Sequence, residues 1–237
     1  MTLALAGRSA WESVILMRVT DHLYFYPWCD PKENNCNSVV IDGKLPLLID
    51  PGHLHRVDDL KHRMKLDGFD PNRIKVVVAT HAHPDHFEGA AAFHGHSVRV
   101  GLSWHERKFI EAVAPDLYRL QGPSLSEPQV DFYLREGTLG IGRFEFEVLL
   151  TPGHSPGSIC LYWPRHRILI SGDVVFMDSV GRSELPGGDA RTLKRSLERL
   201  SRLPVDLLLP GHGPAIEDKD RVKENFKFVR KVFFSAM

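Results

Sequence analysis

The chain has 237 residues, 43% of them hydrophobic and 25% charged, the mix of an ordinary globular protein with length for one sizeable core. Lys plus Arg and Asp plus Glu both number 30, so there is no basic excess to meet nucleic-acid phosphates, and no nucleic-acid partner is expected. No run approaches the roughly eighteen apolar residues of a membrane span. The opening MTLALAGRSAW lacks the basic start and cleavage site of a secretory leader, and three scattered cysteines make no disulfide framework. The expectation is a cytoplasmic protein without a membrane partner.

In chain order, β-prone runs at 14–19, 23–26, 38–41 and 45–49 predict early strands, with Asp42-Gly43 as a hairpin turn between the last two. Asp50-Pro51-Gly52 ends that strand. Residues 55–65 have helical spacing, with Val57, Leu60 and Met64 on one face. The run IKVVVAT at 74–80 is apolar and β-branched, as a strand covered on both faces requires. A short helix at 88–93, a strand at 98–102 and a helix at 103–114 follow. Residues 115–136 are irregular and read as a long loop or local insertion. Strands return at 143–150, 158–163 and 167–171. An amphipathic helix spans 189–203 with Asp189 as its N-cap. A strand at 205–209 and a helix at 219–234 complete the pattern. Two rounds of strands and helices with no linker between them predict one domain over 1–237, two sheets packed together with helices outside.

Thirteen histidines are many for this length, and their placement matters more than their number. His81, His83, Asp85 and His86 follow the apolar strand directly, in a turn stiffened by Pro84. Three further donors stand just past strand ends: His154 in TPGHSPGS, Asp173 in SGD and His212 in PGHG. If those strands share a direction, their tips converge on one cleft. Seven donors exceed a single tetrahedral ion and suit a pair. His81, His83 and His154 are assigned to the first ion and Asp85, His86 and His212 to the second, with Asp173 bridging. Two divalent ions are expected, zinc first, with iron or manganese as alternatives. Such ions lower the pKa of bound water and polarise a carbonyl or phosphoryl oxygen.

With HAHPDH at 81–86 and the later His154, Asp173 and His212, the chain resembles the metallo-β-lactamase superfamily over almost its whole length. The resemblance implies an αββα four-layer sandwich with the metal site at one edge. It also implies that Asp85, besides being a ligand, orients the nucleophilic water or handles its proton. The segment GRSELPGGDARTLKRSLERL at 181–200 is similar to the glyoxalase II and persulfide dioxygenase branch. The chain differs from glyoxalase II in having 25 residues after His212, where that branch carries a helical domain that contacts glutathione. It differs from persulfide dioxygenases in reading Gly-His-Gly-Pro at 211–214.

The leading expectation is a binuclear hydrolase whose metal-activated hydroxide attacks a small acyl or thioester substrate. A mononuclear iron persulfide dioxygenase, a phosphodiester hydrolase and a non-catalytic metal-binding protein are the alternatives. Trp28 and Arg182 are the expected substrate contacts, Arg182 pairing either with a substrate anion or with Glu184. His53 and His55 read as polar loop residues near the cleft rim. His94 and His96 read as a solvent-facing pair.

Overall fold

The computed structural model describes residues 18–30, 32–93, 95, 97–117 and 129–234, the side chains of 113–117 excepted. The expected strand at 14–19, the pair His94 and His96, and residues 118–128 of the irregular stretch at 115–136 lie wholly or partly outside the described residues.

The first sheet is built in simple order from β1 (Leu23–Tyr26), β2 (Ser38–Ile41), β3 (Leu47–Ile49), β4 (Val76–Val78), β5 (Arg99–Ser103) and β6 (Phe132–Leu134). β1 to β3 pair antiparallel, and β3 to β6 pair parallel. Parallel neighbours need crossovers, and these contain α1 (Val57–Leu66), α2 (Pro84–Phe87) and α3 (Trp104–Leu117). The second sheet contains β7 (Gly137–Ile141), β8 (Phe144–Leu150), β9 (Ile159–Trp163), β10 (Ile168–Gly172), β13 (Leu207–Pro210) and β14 (Ile216–Glu217). Among the described residues its one parallel pair is β10 with β13, and α4 (Ala190–Leu200) lies in the crossover between them. A small ribbon of β11 (Val175–Phe176) and β12 (Ser179–Val180) precedes α4, and α5 (Lys219–Phe233) closes the order.

Alternation along each strand explains why these runs are apolar throughout. Val39, Ile41, Leu47, Ile49 and Val78 point between the sheets, where they meet Phe146, Leu161, Ile170 and Leu209. Val40, Leu48 and Val77 point outward to Leu60, Met64 and Ile110 of the helices. On the far side, Cys160, Leu169 and Leu208 pack against Leu193, Leu197 and Leu200 of α4 and Val222 and Phe226 of α5. Each sheet therefore buries both faces, and the order of layers is helix, sheet, sheet, helix.

Several boundaries differ from expectation. Ile41 pairs with Leu47, so five residues rather than a two-residue turn join β2 and β3, and Leu45 is exposed instead of in the strand. Pro84 opens a one-turn helix where a stiff turn was expected, consistent with proline's fixed φ at a first helical position. The stretch from 115 is less irregular than read: α3 extends to Leu117 and Phe132–Leu134 forms the edge strand β6. The expected cap at Asp189 is present, its carboxylate accepting from Thr192 N at 2.6 Å.

Candidate metal centre

The parallel pairs place the carboxyl ends of β3, β4, β10 and β13 at one edge of the sandwich, and the chain turns there carry the polar residues. His81, His83, Asp85 and His86 follow β4; His154 lies between β8 and β9; Asp173 follows β10 and His212 follows β13. All seven come together. His83 Nδ1 lies 3.0 Å from His81 Nε2 and 2.8 Å from His154 Nε2, and the last two are 3.2 Å apart. Beside this trio, His86 Nε2 is 3.2 Å from His212 Nε2, and His212 Nε2 is 3.3 Å from Asp85 Oδ2. Asp173 lies between the sets: its Oδ1 is 3.1 Å from His86 Nε2, and its Oδ2 is 3.6 Å from His154 Nε2 and 3.4 Å from His212 Nε2.

Whether these residues suit metal ions can be tested on their hydrogen bonds. His154 Nδ1 donates to the Arg182 carbonyl at 2.6 Å, so its Nε2 presents a lone pair. Thr80 Oγ1 donates to Asp50 and accepts from His81 Nδ1 at 3.2 Å, which leaves His81 Nε2 bare as well. Two lone pairs 3.2 Å apart repel unless a cation lies between them. Bonds of about 2.0–2.1 Å put tetrahedral nitrogen ligands about 3.3–3.4 Å apart, close to the spacing found. A proton is a poor substitute in this trio. Burial pushes His81 well below the usual imidazole range, and burial with His154 nearby brings His83 down to about 4.

The second set behaves in the opposite way. Burial opposes charge on His86, yet the carboxylates of Asp173 and Asp50 hold its proton well above the usual range. His212 is likewise carried up to about 9, burial being outweighed by Asp173 and Asp85. Asp85 and Asp173 are held below the usual carboxylate range despite their burial, Asp85 by His212 and His86 and Asp173 by the same two rings. These protons occupy positions that an ion takes over. The donor set, nitrogen and carboxylate oxygen, fits two divalent transition-metal ions.

Three residues behind the ligands carried no assignment from sequence. Asp50, with positive φ at the end of β3, accepts from Thr80 N at 2.7 Å, Thr80 Oγ1 at 2.8 Å and His86 Nδ1 at 2.9 Å. It thus orients one ring of each set. Glu106 of α3 is fully buried and ties the two histidine turns together, accepting from Ala82 N, Ser155 Oγ and Gly157 N. Asn34 donates to Asp85 Oδ2 at 2.6 Å. Gly211 allows a close approach that a side chain would prevent, since a Cβ there would lie 2.2 Å from Asp173 Oδ1.

The two expected substrate contacts are more peripheral. Trp28 donates its indole N–H to the carbonyls of Asp30 and Glu33, and Arg56 covers its ring. The Arg182 side chain is exposed and paired with Glu184, while its carbonyl holds His154. Among the described residues, no helix is long and apolar enough to cross a membrane.

Comparison with known proteins agrees with this geometry. The family model of the metallo-beta-lactamase superfamily matches residues 31–212. The chain is 34% identical over 190 residues to the probable metallo-hydrolase YqgX of Bacillus subtilis, covering 78% of this chain and 87% of that protein. It is 31% identical over 197 residues to the hydroxyacylglutathione hydrolase GloC of Haemophilus influenzae, covering 76% and 86%. Among solved structures, TTHA1623 in a di-iron-bound form superposes with a TM-score of 0.67 at 32% identity, covering 84% of this chain and 96% of that one. The chain belongs to the metallo-beta-lactamase superfamily.

Proposed function

We propose that this chain is a binuclear metal-dependent hydrolase of small acyl substrates, esters or thioesters, acting as one metallo-hydrolase domain. The observation that carries the reading is Asp173, whose two oxygens face both His81–His83–His154 and Asp85–His86–His212 clusters. We assign the first three histidines to one ion, Asp85, His86 and His212 to the other, and Asp173 to both. Zinc suits these donors, and iron or manganese also fits. When bound, such ions supply an activated water and an electrophile for the carbonyl oxygen.

The chain's own groups do the positioning. Asp85 is held by Asn34 and kept ionised, so its carboxylate can accept a hydrogen bond from the water and orient it. Asp50 and Glu106 fix the ligand turns before substrate arrives. Arg182 is the better placed of the two substrate contacts, because its exposed guanidinium can exchange Glu184 for a carboxylate on the substrate. Trp28 contributes the outer wall of the loop that carries Asn34.

The name of GloC supports a thioester. Since the chain covers 86% of GloC, a short segment after His212 does not separate it from enzymes named for glutathione thioesters. The di-iron form of TTHA1623 bears on metal identity; the alternative to test is a sulfur oxygenase using a single iron at His81, His83, His154 and Asp173.

Protein purified without added metal should be assayed for metal content and against thioesters, esters, phosphodiesters and persulfides. We expect thioester or ester turnover that is lost on chelation and in His83→Ala and Asp173→Ala, without oxygen uptake. Full turnover in either variant overturns the assignment. One iron per chain with oxygen consumed on a persulfide favours the oxygenase.

A further inference from the structure

A second group of metal-capable side chains lies outside the seven residues. His53 and His55 flank the start of the short 3-10 turn Leu54–Arg56, and Glu88 begins another such turn after α2. Donor atoms of His53, His55 and Glu88 all lie within 4.8 Å of one another. His53 Nδ1 is 2.9 Å from Glu88 Oε2, and His55 Nε2 contacts Glu33 Oε1.

The bland account is a pair of histidine–carboxylate hydrogen bonds on a loop. It leaves one buried group unexplained. Glu88 is 3% exposed, and its Oε1 has no hydrogen-bond partner. A buried carboxylate oxygen without a donor is costly, and a divalent ion beside it removes the cost. The His53–Glu88 spacing also suits this, since tetrahedral nitrogen and oxygen donors at about 2.0–2.2 Å stand about 3.3–3.5 Å apart. The atoms need part by only a few tenths of an ångström. His55 is 60% exposed on its side chain, so an ion has a path from solvent. Arg56 takes the other oxygen of Glu33 and offsets its charge.

We propose that His53, His55 and Glu88 form a third divalent transition-metal site of the zinc class. The ion takes the place of the His53–Glu88 hydrogen bond. It fastens the turn before α1, through His53 and His55, to the end of α2, through Glu88. His55 also contacts Glu33, which adjoins Asn34, the donor to Asp85, so occupancy of this site stiffens the support of the main centre.

The test is a calorimetric titration of metal-free full-length protein with Zn²⁺ alone. The wild type should take up three equivalents, the third the weakest. In His55→Ala, an exposed change that the fold tolerates, the third equivalent should weaken roughly tenfold or more while the first two remain. Glu88→Gln should act in the same way, and thermal melting confirms that both variants are folded. Uptake of only two equivalents by the wild type overturns the proposal. So does a third equivalent of unchanged affinity in His55→Ala.

Discussion

Replacing Asp50 by Asn changes a carboxylate that stands behind the ligands rather than among them. The side chain keeps its shape, but one of its oxygens becomes a donor. Asp50 Oδ1 accepts from Thr80 N at 2.7 Å, and Oδ2 accepts from Thr80 Oγ1 at 2.8 Å and His86 Nδ1 at 2.9 Å. Either orientation of the amide therefore sets N–H against a donor. The less costly one keeps the oxygen toward Thr80 Oγ1 and His86 and sacrifices the Thr80 backbone bond. Losing one hydrogen bond to a charged acceptor costs about 1.5–3 kcal/mol. Loss of the negative charge also leaves the His86 ring less basic as a ligand. Changes at such supporting groups cost roughly 10–100-fold in metal affinity, or about 1.4–2.8 kcal/mol, the same range. Competition against a chromophoric chelator should find the ion at Asp85, His86 and His212 weakened by roughly 10–100-fold. The ion at His81, His83 and His154 should weaken less, because Asp50 reaches it only through Thr80. A folded variant with both affinities unchanged refutes this reasoning, as does a larger loss at the first site.

Gly211→Ala puts a methyl group 2.2 Å from Asp173 Oδ1 and 2.7 Å from His86 Cε1; turnover should fall roughly 100-fold and the second ion should be lost, both read from the purified variant. Metal loading should also reveal the two proton states. His86 and His212 hold protons at neutral pH, His212 up to about 9, whereas His83 has lost its own above about 4. A raised imidazole pKa makes protons compete with metal below it, so the second ion's affinity should climb with pH to about 9 while the first changes little near neutrality. Calorimetry in buffers of different ionisation heat counts the protons, and equal release at both steps contradicts the assignment. Leu200→Ala, at the buried end of α4, should lower the unfolding free energy by about 2–5 kcal/mol and leave metal content intact, as denaturant melts and metal analysis can check.

The central strands were readable in the sequence because both their faces are buried, which makes runs such as Leu47–Ile49 and Val76–Val78 apolar without interruption. The edge strands β6, β7 and β14 were not, unlike the buried edge strand β1. β7 reads GTLGI, with two glycines and three exposed positions, and β14 is two residues long. Such strands are defined by pairing with a neighbour rather than by their own pattern. The seven donors were legible because each stands next to the end of an apolar strand. Asp50 meets the same rule, following Leu47–Ile49 directly, and could have been found by it. Glu106 could not. It lies in the first turn of α3 within WHERK, where an acid reads as a solvated helix face, and only the packing of α3 against the two histidine turns buries it.

Two ions sharing Asp173 are the centre of the proposed chemistry. A crystal of protein purified without added metal, with diffraction collected at the absorption edges of zinc, iron and manganese, tests this most directly. Two anomalous peaks are predicted, one among His81, His83 and His154 and one among Asp85, His86 and His212, with Asp173 in contact with both. Fully active crystals without a peak at either position, or with a single ion that Asp173 does not touch, would contradict it.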